Sequence, residues 1–390
     1  MIKVIEVESK KDLDSFINFP HDLYKNDLNY VPELYLGQKE LLTKHPFLEH
    51  SEVKLFLTYD ETEKIVGRIA AIENKRHNEY NKTQDGFFGF FDCIDNAEVA
   101  NALFGAVHEW LSKRKLTGII GPANFSLNET CGLLIEGFDS PPVIMMTYNA
   151  PYYQKLIEHV GLRKKVDLVA FRFGESGYDD KSVRLLTQLQ ERLKRNSIII
   201  RKVDMRNFSA ETEKIREVYN KAWDKNTGFV PMTDHEFNHT AKEMKMIVDP
   251  DFLQLAEQNG KIVGFALAIP DFNQVFAKIK RGRLLPWGIF KLLWYKRKVN
   301  GIRIILLGVI DGYRKMGIEA CLYGRIIEEY RNKNYKYAEA SWTLEHNDLI
   351  NNAILAIKGD PYKKYRLFEG KIINKSDITD GKLFTDIQGQ

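Results

Sequence analysis

Residues 304–330, IILLGVIDGYRKMGIEACLYGRIIEEY, change their hydrophobic period partway along. The unbroken apolar run Ile304-Ile305-Leu306-Leu307 reads as a buried strand, whereas beyond Gly308 and the turn at Asp311-Gly312 the residues Ile318, Leu322, Ile326 and Ile327 share one helical stripe. A strand therefore runs straight into a helix. At the junction stand Arg314, Lys315, Met316 and Gly317, where the first amides of the helix lack intrahelical partners and project with the positive end of its dipole. Such a junction cradles phosphate. It also serves as a plain turn with solvated basic residues, and the local pattern leaves both readings open.

At 390 residues the chain exceeds one ordinary core and predicts two or three domains. With 44 % apolar and 28 % charged residues it is a folding, globular sequence rather than a disordered one. Cys93, Cys131 and Cys321 lie far apart without CxxC or Cys/His spacing, so neither a disulfide framework nor a metal site is expected, and a reducing cytoplasm fits. The opening MIKVIEVESKKDLD alternates and then turns charged, and no apolar run approaches the ~18 residues of a span, so neither a signal peptide nor a membrane span is expected. The basic excess is local. Lys278, Lys280, Arg281, Arg283, Lys291, Lys296, Arg297 and Lys298 fall in one acid-free stretch, and the 49 other basic residues face 53 acidic ones.

Taken in order, residues 2–8 read as a strand and 11–24 and 30–42 as helices. Residues 53–59 and 65–72 form a hairpin, 86–91 an aromatic strand, 98–111 a helix, and 118–121 and 141–148 strands. A helix over 151–159 opens on Pro151 and ends at Gly161, and a strand follows at 166–173. The charged stretch 174–181 marks a boundary. After a helix to about residue 194 the same order returns: a strand at 197–203, helices at 211–224 and 234–248, and hairpin strands at 252–257 and 261–269. The Ile304 strand and its helix, a strand at 337–342, a helix at 348–357 and paired short strands within 362–373 complete it.

Arg314-Lys315-Met316-Gly317-Ile318 after a strand resembles the acyl-CoA pyrophosphate loop of the GNAT acyltransferase superfamily, whose pattern is Arg or Gln, two residues, Gly, one residue, then Gly or Ala. Glu319 stands in the small residue's place, with Ala320 one position later. The repeated element order resembles a tandem GNAT protein, in the manner of Fem-type and N-myristoyl transferases. It implies an α/β fold with mixed sheets in two GNAT-like domains, 1–175 and 176–390, the second carrying an insert at 274–301. Leu344-Glu345-His346-Asn347 with Tyr362-Lys363-Lys364-Tyr365-Arg366, and Gly121-Pro122-Ala123-Asn124 with Tyr152-Tyr153, resemble a narrower bacterial group near the GNAT-like ceramide synthases.

The resemblance implies that acetyl-CoA or a longer acyl-CoA binds the second domain through Arg314, Lys315, Met316, Gly317, Ile318, Glu319 and Ala320. The splayed strands beside the loop would hold the pantetheine, an amide near Val309 or Ile310 would take the thioester oxygen, and Asn351 joins this cofactor side. The first domain's junction, Phe90 to Ala97, has no Arg or Gly and carries Asp92 and Asp95, which would repel a diphosphate. An amine of pKa about 10.4 must lose a proton before attack. Glu345, past the 337–342 strand, is the first candidate base, followed by His346 and Asp311; the other reading of Glu345 is an acid favoured in a helix's first turn. The superfamily's general-acid Tyr is replaced by Leu355, which leaves Tyr362 or Tyr365 to compensate. Acceptor-side candidates are Asn124, Asn128 and Tyr152 in the first domain and Trp223 and Phe229 in the second; turn chemistry also accounts for the two Asn residues.

In the insert, helical spacing from Pro286 gathers Trp287, Phe290, Leu293 and Trp294, with Lys291, Tyr295 and Lys298 opposite. That pattern belongs to interfacial helices and also to inserts packed on their own domain. The resulting expectation is an acyl-CoA N-acyltransferase acting on an amine, with a sphingoid base reached at the inner membrane face as the amphiphilic case. The alternatives are a non-catalytic acyl-CoA or lipid sensor, and a Fem-type aminoacyl transferase, whose broad basic tRNA surface is poorly met; no nucleic-acid partner is expected.

Overall fold

The computed structural model describes residues 2–174, 180–223 and 230–373, with 180–185 and 223 described by backbone alone. Among them the strands are β1 (Lys3–Glu6), β2 (Glu52–Tyr59), β3 (Ile65–Glu73), β4 (Asp85–Cys93), β5 (Gly118–Gly121), β6 (Leu133–Glu136) and β7 (Arg163–Phe173). There follow β8 (Ile198–Lys202), β9 (Leu253–Gln258), β10 (Lys261–Pro270), β11 (Gly301–Val309), β12 (Tyr337–Leu344) and β13 (Asp360–Lys371). The chain forms two compact units, one of Met1–Leu168, Val275–Leu293 and Lys363–Gln390, the other of Val169–Gln274 and Trp294–Tyr362.

In the first unit β1-β2-β3-β4-β5 lie side by side, with the end of β13 next to β5 and β6 on β13. Only β4 and β5 pair in parallel within that run, and helix Ala97–Ser112 crosses between them, burying Val99, Leu103, Phe104, Val107 and Leu111. In the second unit the order is β12-β11-β10-β9-β8. Here β11 and β12 are the parallel pair, and helix Ile318–Asn332 crosses between them on Ile318, Cys321, Leu322 and Ile326. The repeat extends to a detail of register. β4 shifts register against β3 between Arg68 and Ala70, and β11 against β10 opposite Leu267 and Ala268, so each strand before its crossing helix carries an extra residue. Parallel pairing then stops after Phe87↔Ile120 and after Ile304↔Ala340. Beyond those rungs the strands part, which is the splay that the sequence resemblance implies.

Several local expectations change. The helix expected over 30–42 is Tyr35–Lys44, because Pro32 keeps the residue before it out of helical conformation. A short helix, Lys75–Asn81, capped by Asn74, was not foreseen. Residues 141–148 form no strand: Pro141 and Pro142 offer no amide, and β6 fills the place instead, its Leu134 amide donating to the Asn149 side chain at 2.7 Å. Pro151 precedes the helix Tyr153–His159 rather than opening it. The short strands expected within 362–373 are the single strand β13.

His108 on the crossing helix is buried, accepts from the Ile373 amide at Nδ1 (3.3 Å), and burial lowers its pKa to about 4. The folded state therefore favours the neutral ring; its stability contribution is intact above the unfolded value near 6.5 and is lost as pH falls toward 4. Between pH 7 and 4.5 that loss is about 2.5 kcal/mol. In His108→Gln, which keeps an acceptor, urea midpoints are expected to fall less over this interval than in the parent chain.

Candidate acyl-CoA site

The helix Ile318–Asn332 starts at Gly317, whose φ of +90° is the left-handed region, and no side chain caps it. Cys321 makes the first helical bond, to the Gly317 carbonyl at 3.1 Å, which leaves the amides of Ile318, Glu319 and Ala320 without intrahelical partners. A Cβ at Gly317 would lie 3.1 Å from Leu189, so the position combines a left-handed turn with close packing. Arg314 and Lys315 are exposed, and Met316 is half-buried. The Arg314 guanidinium is anchored, with Nε donating to the Val309 carbonyl (3.2 Å), Nη2 to the Ala222 carbonyl (3.1 Å) and Nη1 pairing with Asp311 (3.3 Å). Glu319 sits half-buried in the first turn and has no hydrogen bond or ion pair among the described residues. Three bare amides and two cations favour a diphosphate, and one carboxylate opposes it.

The equivalent place in the first unit is closed in two ways. Asn96 caps the crossing helix with its own side chain, accepting from Glu98 N at 2.8 Å and Val99 N at 3.3 Å. The parting of β4 and β5 is filled by the chain itself: Ala123 N donates to the Phe88 carbonyl (2.8 Å), and Asn124 Oδ1 accepts from Phe90 N (2.9 Å). Gly89 makes room, since a Cβ there would stand 2.1 Å from the Ala123 oxygen. The repulsion expected from Asp92 is corrected by its burial against Arg68 at 2.8 Å; at this junction the cap and the plug occupy the helix start and the parting of the strands.

In the second unit Ile310 N is taken by the Val263 carbonyl at 3.1 Å. The antiparallel alternation that follows from this bond turns the backbone of Val309, paired opposite Gly264, to the other edge, where β12 has departed. Of the two amides considered, Val309 is the one placed on the splay. Asn351 is committed within the fold, accepting from Thr343 Oγ1 (2.6 Å) and donating to the Leu344 carbonyl (2.9 Å). Glu345 and His346 lie on an exposed turn after β12; the helix expected at 348–357 is Asp348–Ala356 with Asn347 as its cap, so Glu345 precedes the helix and is not an acid of its first turn. Tyr362 is half-buried and donates to Glu339. Glu339 is 0 % exposed, one rung before the strands part, and the sequence reading passed over it. Its signal was a charged residue at an inward position of a strand, directly opposite Arg303.

Among the acceptor-side candidates, Asn124 also donates to Thr130 Oγ1 (3.0 Å), and Asn128 N donates to Ser126 Oγ (3.2 Å), which is turn chemistry. Tyr152 donates to the Cys93 carbonyl (2.7 Å) and borders an open hollow with Asn26, Asp27 and Leu28. Phe229 and the Trp223 side chain lie outside the described residues.

The insert begins tightly fixed in the first unit. Arg281 binds Asp22 at 2.5 and 3.0 Å, Arg283 stacks over Tyr35 at 4.1 Å, and a Cβ on Gly282 would meet the Glu33 carbonyl at 1.8 Å. Its helix, Gly288–Tyr295, turns Gly288, Ile289, Leu292 and Tyr295 inward. Trp287, Phe290, Leu293 and Trp294 are 73, 63, 51 and 67 % exposed. Tyr295 thus leaves the face assigned to it. Lys291 donates to the Lys278 carbonyl (2.8 Å), and Lys298 lies 5.5 Å from the Trp294 ring. No described helix is long and apolar enough to cross a membrane.

The doubled unit, each with its crossing helix and splayed parallel strands, is the architecture of a tandem GNAT protein. The tandem GNAT protein from the clavulanic acid biosynthesis pathway matches 96 % of this chain and 100 % of its own with TM-score 0.58 at 8 % identity. The GCN5-related N-acetyltransferase from Sphaerobacter thermophilus matches 96 % of each chain with TM-score 0.51 at 12 % identity. No family model matches the sequence. In sequence the chain is 36 % identical to Protein YghO of Escherichia coli, covering 93 % of this chain and 94 % of that protein. It is 33 % identical to the bacterial ceramide synthase of Caulobacter vibrioides, covering 94 % and 97 %. The chain belongs to the family that contains these two proteins.

Proposed function

We propose that this chain is an acyl-CoA-dependent N-acyltransferase built from two sequence repeats, 1–175 and 176–390, with acyl-CoA held by the second and a membrane-borne amphiphilic amine, such as a sphingoid base, as acceptor. The observation that carries the reading is the uncapped helix start at Gly317 beside the parted strands, in a chain whose relative over nearly full length is a ceramide synthase. Arg314 and Lys315 supply charge to the diphosphate, the amides of Ile318 to Ala320 supply donors, and the Val309 amide faces the thioester oxygen. The exposed aromatic face of the insert, with Lys296, Arg297 and Lys298 at its end, suits the inner membrane surface. Formation of N-palmitoyl product from palmitoyl-CoA and sphinganine, followed by mass spectrometry, tests the reading; thioester binding without turnover of any amine would favour the sensor alternative instead.

The loop assignment has its own measurement. One charge-assisted phosphate contact contributes about 1.5 to 3 kcal/mol, so Arg314→Ala is expected to weaken acyl-CoA binding at least about tenfold by calorimetry. Arg314→Lys, which keeps charge but loses the fork that grips Val309 and Ala222, is expected to fall between. Equal affinity in all three would remove the site from this loop.

A further inference from the structure

The second unit buries two carboxylates against two phenols. Tyr362 donates to Glu339 and Tyr337 to Asp271, while Gln274 Nε2 supports the Tyr337 oxygen at 2.7 Å. Both carboxylates lie inside, at 0 and 3 % exposure. Arg172 stacks over both rings, 4.7 Å from Tyr337 and 5.6 Å from Tyr362, and is itself exposed. The cluster therefore connects a sealed interior to the surface through the half-buried Tyr362. Glu339 has Tyr362 and Ser341 as donors and Arg303 as its neighbouring charge, and its Oε1 lies buried. Burying a carboxylate forfeits its hydration, and this one lies one rung from the strand splay with the hydroxyl of a half-buried tyrosine donating to it, an arrangement suited to passing a proton between the surface side and the interior.

Building on the N-acyltransferase reading of this unit, we propose that Tyr362 and Glu339 form the proton relay for the acceptor amine. The amine enters as an ammonium; its proton passes to the Tyr362 oxygen as the Tyr362 proton passes to the Glu339 carboxylate. The freed nitrogen lone pair forms the C–N bond at the thioester carbon, the C–S bond breaks, and the departing thiolate takes the second nitrogen proton to leave as CoA thiol. Glu339 then returns its proton to solvent by the same path. Tyr362 is the group that touches substrate, and Glu339 is a positioning residue behind it.

The groups that face Glu339 are Arg303 and Ser341 from β11 and β12, Tyr362 from β13, and Asp271 after β10. Burial raises the pKa of its carboxyl, opposed by the charge of Arg303 and by hydrogen bonds from Ser341 and Tyr362. Arg303 is held by Ser341, donating from Nε to Oγ at 2.9 Å and from Nη2 to the carbonyl at 3.3 Å. A raised carboxyl accepts a proton more readily at neutral pH while Arg303 keeps the ionised form attainable.

The experiment compares the wild type with Tyr362→Phe, Glu339→Gln and Glu339→Asp, using palmitoyl-CoA and sphinganine from pH 6.5 to 9.5. Palmitoyl-CoA affinity is measured alongside. In Tyr362→Phe and Glu339→Gln, kcat/KM for the amine is expected to fall on the order of a hundredfold at pH 7 with thioester affinity within about twofold. The deficit should shrink as pH approaches the amine's own pKa, where deprotonated acceptor needs no base, and Glu339→Asp should recover part of the rate. A deficit equal at every pH, or unchanged turnover in Tyr362→Phe, would overturn the relay and leave the acyltransferase reading intact. Tyr362→Phe removes a single hydroxyl from a half-buried residue and keeps the ring, so it decides the matter should Glu339→Gln fold poorly. Absence of amide product from the wild type would overturn both.

Discussion

Asp92→Ala is expected to destabilise the first unit by about 3 to 5 kcal/mol, the usual consequence of stranding one member of a buried ion pair. The structure supplies the reason. Asp92 Oδ2 accepts from Arg68 Nε and Nη2, both at 2.8 Å, and Oδ1 accepts from the hydroxyls of Tyr24 (3.1 Å) and Tyr153 (3.2 Å). Arg68 reaches on to the Phe16 carbonyl (2.8 Å), and Tyr153 receives the Cys93 amide (2.9 Å), so the carboxylate joins β3 and β4 to helices Lys10–Leu23 and Tyr153–His159. Burial pushes this carboxyl up in pKa, and Arg68 opposes that shift. Removing the anion leaves the buried guanidinium without its counter-charge and takes an acceptor from two phenols that otherwise keep only each other, at 2.8 Å, and backbone amides. For a unit of this size the loss corresponds to roughly 10 °C in the melting temperature. Asp92→Asn, which keeps acceptors for the phenols, should lose less. A change below about 1 kcal/mol for Asp92→Ala in urea titration would show that the network does not hold the unit.

How much of this was legible depends on how local each signal was. The strand and helix of 304–330 could be read because both periods and the turn at Asp311-Gly312 lie within one short segment, and the second copy of the element order multiplied that evidence. The plug at Ala123 and Asn124 could not be read. It works only because Gly89, distant in sequence, leaves room for a carbonyl, and no periodicity announces that meeting. Residues 141–148 misled for a related reason: Val143-Ile144-Met145-Met146 looks like a strand, yet its Pro-Pro start withholds ladder donors and Thr147 Oγ1 instead binds the Gly132 carbonyl at 2.6 Å. Asp92 read as a junction charge because its partner Arg68 stands 24 residues away. Glu339 belongs with it. Inside Tyr337-Ala338-Glu339-Ala340-Ser341-Trp342 it is one polar residue on a strand, and only the register against Arg303 and the return of β13 show its surroundings.

Reversal of Lys296, Arg297 and Lys298 to Glu is expected to abolish sedimentation of the protein with anionic vesicles while leaving acyl-CoA affinity within about twofold. Each basic residue near an anionic surface contributes about 1 kcal/mol, so the triple change removes about 3 kcal/mol of attraction and adds repulsion of similar size. Among the eight cations of the insert, Arg281 is engaged by Asp22 and Arg283 by Tyr35, so attraction rests chiefly on the others. Lys298 lies over the Trp294 ring and shares its side of the helix end, which places a cation where a lipid phosphate would meet an aromatic group seated at the headgroup boundary. Exposed rings alone bind neutral and anionic bilayers alike; the combination binds anionic ones and lets go as salt rises. The wild type should therefore sediment at low ionic strength and be released near 0.5 M salt, with Trp287→Ser and Trp294→Ser weakening binding at every salt concentration. If the wild type ignores anionic vesicles even at low salt, the exposed face has another purpose, a water-soluble amine becomes the better acceptor for the second unit, and the insert serves to hold Arg281 and Gly282 against the first.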